Sequence, residues 1–311
     1  MIPLIGAHLS IAGGVDKALE RGVALGCTTV QIFSKNNMQW FTRALGDEEI
    51  QRFHQRRQQT SIAPVFSHSG YLINLGATNP RFYEQSIRAL ADELYRAQLL
   101  GLPFVVLHPG SHMGRGEEAG IQQIASALDQ VLTHAAPRSQ APRSEIPPRV
   151  ALEVTAGQGH CLGCRFEHIA RIYESVANPE RLALCLDTCH LFAAGYDIRT
   201  RKGYEQTISE LDRIIGIKQV VAIHMNDSKC PLGSRVDRHA HIGKGHLGLD
   251  PFRFILTDPR FAKVPKVLET PKENEANGIS KMDKRNLAIL KRLTRAATAA
   301  DSSRRRQTNS P

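Results

Sequence analysis

The 311-residue sequence contains no apolar stretch near the roughly 18 residues that a membrane-spanning helix requires, and its N-terminus lacks a charged-then-apolar signal. The expectation is a soluble, cytoplasmic protein with no membrane partner. No internal repeat or compositional break divides the chain, and 41% hydrophobic residues suffice for one substantial core. No G-x-x-x-x-G-K loop is present to cradle a phosphate, and Gly13-Gly14 reads instead as a helix entry. Cysteine is sparse. The six residues, with Cys27, Cys185 and Cys189 in or beside apolar segments, argue against a disulfide framework and suit packed free thiols. Cys161 and Cys164 have C-x-x-C spacing, but no second pair completes a structural zinc site, so the spacing reads as coincidence.

What is present is a series of short apolar runs, six of which end on a residue able to bind a metal. Residues 63–66 lead to His68, 103–107 to His108, 150–152 to Glu153, 182–186 to Asp187, 220–223 to His224 and 265–268 to Glu269. Two more lie upstream, 4–7 before His8 and 29–33 before Ser34. Unalternating runs rich in Val, Ile and Leu suit parallel strands buried on both faces. Helical periodicity separates them: Ile87, Leu90, Ala91 and Leu94 with Gly101 as a stop, then Ile121, Ile124, Ala125 and Leu128, then Ile208, Leu211 and Ile215. Run ends about 25 to 45 residues apart fit successive βα units. Eight units predict an α/β fold, a (β/α)8 TIM barrel over residues 1–296, with a basic, disordered tail at 297–311. The proline-rich segment 137–149 reads as an extended surface connection into the fifth strand.

In such a barrel the active site is built at the C-terminal ends of the strands, where these six residues fall. A polar residue after a strand often means only that the chain is entering solvent, but six His or carboxylate residues in successive units are hard to dismiss on that ground. Two local pairs extend the set: Asp187 and His190 as D-x-x-H, and Asp237 and His239 as D-x-H, whose side chains point the same way in extended chain. Five His and four carboxylates exceed what one four-coordinate zinc takes and imply two or three ions. Mixed imidazole and carboxylate donors favour zinc over magnesium. Three divalent ions outweigh four carboxylates, so the centre would attract an anion such as phosphate. The net charge of +10 agrees, although part of the excess is a C-terminal charge run of the kind that is usually a solvated face.

The motifs resemble those of endonuclease IV, the zinc-dependent apurinic/apyrimidinic endonuclease of base-excision repair. They are GAHLSIAGG from Gly6, SHSGYLINLG from Ser67, HPGSH from His108, LEVTAGQG from Leu152, LDTCHLFAAGYD from Leu186, HMNDSK from His224, GSRVDRHAHIGKGHLG from Gly233 and LETP from Leu268. The resemblance runs in order through residues 1–295. It implies three zinc ions per chain: one on His68, His108 and Glu153, a second sharing Glu153 with Asp187, His224 and Glu269, and a third on His190, Asp237 and His239. It implies hydrolysis of duplex DNA 5′ to an abasic site by a monomer, leaving a 3′-hydroxyl and a 5′-deoxyribose phosphate, with Glu153 and Glu269 in catalytic roles. It also implies DNA contacts from Lys35, Asn36, Met38, Gln39, Trp40, Tyr71 and Asn74, with Tyr71 as a wedge in the base stack. Met38 departs from the family pattern, since relatives place an inserting arginine there. His8, His112, His241 and His246 are not ligands in the family.

Two other readings use the same residues. A metal-dependent sugar isomerase or epimerase shares the barrel and its strand-end ligands, but needs neither the His190, Asp237 and His239 group nor the basic balance. A non-catalytic lesion-binding protein needs no complete ligand set.

Overall fold

A computed structural model of the chain describes residues 3–134, 146–273 and 275–308. Eight parallel strands close into a barrel in chain order: β1 (Ile5–Leu9), β2 (Thr29–Phe33), β3 (Val65–His68), β4 (Phe104–Leu107), β5 (Arg149–Glu153), β6 (Leu182–Asp187), β7 (Val220–His224) and β8 (Lys266–Leu268). The last pairs back onto β1, with Ile5 opposite Lys266 and Ala7 opposite Leu268. Each apolar run read from the sequence is one of these strands. Around them lie α1 (Val15–Leu25), α2 (Asp47–Gln58), α3 (Pro80–Leu99), α4 (Glu117–His134), α5 (Phe166–Ser175), α6 (Thr188–Ala194), α7 (Arg201–Ile214), α8 (Asp250–Thr257) and α9 (Lys281–Thr308). Among the described residues no helix is long and apolar enough to cross a membrane.

The helices form where the sequence offers one apolar stripe and a way in and out. In α1 the buried residues Val15, Ala18, Leu19, Gly22 and Leu25 recur at three- and four-residue spacing. Gly13 and Gly14, at φ +89° and +133°, turn the chain into it, and Gly26 in the left-handed region closes it. In α3, Asn79 Oδ1 accepts the backbone N–H groups of Arg81 and Phe82, and Pro80 occupies the first turn.

The barrel interior decides where the strand-end residues point. Phe66, Phe104, Val106, Ala151, Ala183, Cys185, Ala222 and Val267 form a buried cluster of their own, with the Phe66 and Phe104 rings 4.7 Å apart. Large rings on β3 and β4 are balanced by alanines on β5, β6 and β7, which fills the interior without overpacking it. Side chains two apart on a strand face the same way. Two positions beyond Phe66, Val106, Ala151, Cys185, Ala222 and Val267 stand His68, His108, Glu153, Asp187, His224 and Glu269. The packing that fills the barrel therefore aims all six into its C-terminal mouth.

Of the C-terminal segment 297–311, residues 309–311 lie outside the described residues. The α9 backbone continues as helix through 297–308, where composition suggested a disordered tail. Alanine and arginine are strong helix formers, and the segment extends a helix already docked through Leu287 and Leu290. The connection expected at 137–149 falls mostly at 135–145, outside the described residues.

Gly6 carries the tightest constraint in the barrel wall, because a Cβ there would sit 1.7 Å from the Thr29 carbonyl oxygen of β2. Gly6→Ala should lower unfolding free energy by about 3 kcal/mol or more, read from the urea midpoint. A change within about 0.5 kcal/mol would contradict this packing.

Candidate metal centre

Local structure explains each spacing in the site. Asp187 ends β6 and is also the N-cap of α6, its Oδ1 accepting the His190 N–H at 2.9 Å. The D-x-x-H pair is thus a strand end followed by the first turn of a helix, which brings His190 back over the barrel mouth. Asp237 and His239 come from the loop after β7, where His239–Ala240 pairs antiparallel with Asp227–Ser228. That loop is tied down by the buried Asp227, whose carboxylate accepts the N–H groups of Ser228 at 2.8 Å, Gly245 at 3.0 Å and Leu247 at 2.9 Å.

Glu153 is the hub and is 0% exposed. Its Oε2 lies 3.2 Å from His68 Nε2 and 3.1 Å from His108 Nε2, and its Oε1 lies 2.9 Å from His224 Nδ1 and 3.3 Å from His190 Nδ1. His224 Nδ1 also faces Glu269 Oε2 at 3.0 Å and Asp187 Oδ2 at 3.7 Å. Asp237 reaches His190 Nε2 at 3.1 Å and His239 Nε2 at 3.2 Å. Ligand atoms within 4.8 Å of one another group as His68, His108 and Glu153, as Glu153, Asp187, His224 and Glu269, and as Asp187, His190 and His239, with two further groups that include a thiol, Glu153, Cys185 and His224, and Cys189, Asp237 and His239. All nine residues singled out in the sequence are brought together in one connected cluster.

The hydrogen-bond pattern shows which ring nitrogens are presented. His68 Nδ1 lies 2.8 Å from the Ser69 carbonyl, His190 Nδ1 2.9 Å from that of Val154, and His239 Nδ1 3.1 Å from that of Glu269. A carbonyl only accepts, so in each ring Nδ1 carries the hydrogen and Nε2 is turned to the carboxylates. The Nε2 atoms of His190 and His239 are buried and make no hydrogen bond of usable geometry. A buried lone pair facing carboxylate oxygens is unfavourable unless a cation stands between them, either a proton on the ring or a metal ion. Imidazole nitrogens and carboxylate oxygens in three overlapping groups suit divalent zinc.

The same charges set the protonation of the metal-free cluster. Burial opposes a charge on His239, but the carboxylates of Asp187 and Asp237 outweigh it and raise the ring to about 9. His190 and His224 are raised well above their ordinary value despite burial, by Asp187 and Asp237 in the first case and by Cys185, Glu269 and Glu153 in the second. Burial would raise Glu153 and Glu269, yet the neighbouring imidazoles, His224 foremost, hold both well below the usual carboxylate range.

The polar residues missed in the sequence lie directly behind the nine. Asn226 donates to Asp187 Oδ2 at 2.7 Å and accepts the Glu269 N–H at 2.8 Å. Gln31 contacts His224, Glu269 and His8 from the middle of β2. The available signal was a polar side chain inside an apolar run, at the position that faces into the barrel. His112, His241, His246 and the Cys161–Cys164 pair belong to none of the ligand groups among the described residues. Cys185 and Cys189 each belong to one such group, but their thiols donate to the Leu186 and Arg238 carbonyls, and burial pushes both up to about 12.

Above the cluster is a cleft of about 740 Å³ lined by His8, Asn36, Tyr71, His239, Glu269 and neighbours. Of the residues expected to meet DNA, Met38 and Tyr71 are 63% and 64% exposed, and Asn36 and Gln39 are exposed beside them. The Lys35 ammonium is buried, bonded to Asp92 Oδ2 at 2.7 Å and to the Trp40 carbonyl at 2.9 Å, although the residue lines the same cleft. Asn74 is likewise turned inward, its Oδ1 accepting the N–H groups of Gly76 and Ser111 at 2.9 and 2.8 Å. Trp40 stacks on Phe82 at 6.5 Å between ring centroids. These three shape the loops that carry Met38 and Tyr71, and the Tyr71 N–H joins the two loops by donating to the Asn37 carbonyl at 3.1 Å.

Comparison with known proteins agrees with this geometry. A family profile described as a xylose isomerase-like TIM barrel matches residues 19–293. A Chloroflexus aurantiacus protein named probable endonuclease 4 is 47% identical over 296 residues, covering 95% of this chain and 100% of its own. Endonuclease IV from Thermus thermophilus superimposes with a TM-score of 0.81 at 37% identity, covering 94% of this chain and 100% of that one. A D-tagatose 3-epimerase-like protein, with a TM-score of 0.69 at 17% identity over 96% of this chain and 99% of its own, shares the fold alone. With a family profile spanning most of the barrel and a close relative matched end to end, the chain belongs to the endonuclease IV family of AP endonucleases.

Proposed function

We propose that this chain, as a monomer, hydrolyses the phosphodiester 5′ to an abasic site in duplex DNA at a centre of three zinc ions, leaving a 3′-hydroxyl and a 5′-deoxyribose phosphate. The single observation that carries the reading is the convergence of five histidines and four carboxylates in one partly buried cluster beneath an open cleft. His68, His108 and Glu153 would hold one ion, Glu153, Asp187, His224 and Glu269 a second, and His190, Asp237 and His239 a third. When bound, zinc supplies Lewis acidity toward a phosphodiester and makes a water acidic enough to ionise near pH 7.

The chain's own groups divide the remaining work by their accessibility. The Glu153 side chain is 0% exposed and the Glu269 side chain 16%. Glu269 therefore reaches the cleft and is the carboxylate able to orient the attacking water and accept its proton, while Glu153 stays fixed between the imidazoles. Tyr71 lines the cleft and Met38 is exposed on the neighbouring loop, and the two would fill the gap in a duplex from which an abasic nucleotide has been drawn out. The epimerase reading leaves the His190, Asp237 and His239 group without a task, and a lesion-binding protein needs no such ligand set.

Incubation of zinc-loaded protein with a duplex carrying one abasic-site analogue should cut that strand once, on the 5′ side. An intact strand, under conditions where a known endonuclease cuts, would sink the proposal. A second expectation concerns Met38, which offers no cation to the backbone. Met38→Arg should lower KM at unchanged kcat and steepen the salt dependence of binding by about 0.9 in log–log slope, the share of one phosphate contact. Unchanged KM and slope would mean that Met38 does not face the DNA backbone.

The protonated rings give a third expectation. His239 is ordinarily at 6.5 and lies at about 9 in the folded metal-free chain, so its contribution to stability is full below the lower value and lost as pH rises through the upper. His190 and His224, raised in the same direction, act alike. Metal-free protein should have a higher urea midpoint near about pH 6 than near about pH 9.5, a difference that zinc loading removes. Equal midpoints would contradict the assignment.

A further inference from the structure

Gln31 lies in the middle of β2, fully buried, with its amide inside the barrel mouth. Its Oε1 is 2.8 Å from His224 Nε2, and its Nε2 is 2.5 Å from Glu269 Oε1 and 2.8 Å from His8 Nδ1. The two ends of an amide are told apart by their partners. An ionised carboxylate accepts and cannot donate, so the amide N–H end must face Glu269 and the carbonyl end must face His224. That carbonyl only accepts, so His224 carries its hydrogen on Nε2. In the neutral ring, the form that can bind an ion, the Nδ1 lone pair is then turned toward Glu153 Oε1, Glu269 Oε2 and Asp187 Oδ2, at 2.9, 3.0 and 3.7 Å.

His68, His190 and His239 are oriented by backbone carbonyls, which the fold itself fixes. His224 depends on a side chain. One amide thus sets the tautomer of an imidazole and restrains a carboxylate 45 positions later in sequence, both in the group around Glu153. A space-filling role accounts poorly for an amide there, since an apolar side chain of similar shape would fill the same volume without desolvating a polar group.

We propose that Gln31 is a positioning residue that fixes the His224 tautomer and the Glu269 carboxylate for binding of the ion they share. The proposal rests on the zinc reading above. Its test is stepwise removal of zinc from wild-type and Gln31→Met protein by a chromogenic chelator, with urea unfolding of both metal-free proteins alongside. Gln31→Met should bind one ion about 10- to 100-fold more weakly, hold the others as wild type does, and unfold when metal-free at no lower urea concentration. Wild-type affinity for every ion would overturn the proposal, as would equal weakening of all ions with a lowered metal-free midpoint, which marks a structural role. Should Gln31→Met fail to fold, Gln31→Leu carries the same expectations. A wild-type protein that binds no zinc would instead overturn the reading of the centre itself.

Discussion

A carboxylate that water cannot reach, surrounded by four imidazoles from four different βα units, is the constraint on which the rest of this structure depends. Glu153 alone would be untenable in that position, because an ionised group out of water costs several kcal/mol unless it is paired and hydrogen-bonded. His68, His108, His190 and His224 meet that demand from β3, the end of β4, the start of α6 and β7. Each element can deliver its ring only if the barrel closes in register. The charges in the mouth and the close packing of Phe66, Phe104 and the facing alanines below it are therefore one arrangement seen at two levels. Between them, inward-facing parity along the strands converts core packing into ligand direction.

That coupling explains why so much could be read from the sequence. A parallel strand buried on both faces must be apolar, so a His or carboxylate at its end stands out, and the eight runs and nine site residues were visible for that reason. The D-x-x-H spacing gained its meaning only with the α6 N-cap in view, since Asp187 caps the helix with Oδ1 and turns Oδ2 toward His224 and His239. The inward partners of Lys35 and Asn74 were not legible in the sequence because they come from distant chain: Asp92 on α3 for the first and Ser111 after β4 for the second. Nothing near Lys35 in sequence says that a carboxylate 57 residues on will take its ammonium. Gln31 and Asn226 carry less signal, because a lone polar residue in an apolar run gains meaning only from the parity that turns it inward, and Asn226 lies beyond the end of β7.

The site separates two tasks that the sequence had run together. Beneath the cleft, the cluster is held by barrel strands and by loops anchored through Asp227, with little freedom to change. Above it, Met38 and Tyr71 sit on loops braced from below by Glu93, which accepts hydrogen bonds from Ser34 Oγ and, at 3.3 Å, from the Gly70 N–H. Variation at this exposed rim would leave the packing of the cluster underneath undisturbed. Met38 offers bulk and apolar surface at that rim and no charge.

The central claim is that the nine side chains form one polynuclear centre hinged on Glu153. Anomalous diffraction at the zinc edge from crystals of zinc-loaded protein tests it most directly. The account predicts three peaks in the barrel mouth, two of them flanking the Glu153 carboxylate and the third against His190, Asp237 and His239. A single peak, or peaks that leave Glu153 without a metal neighbour, would contradict it.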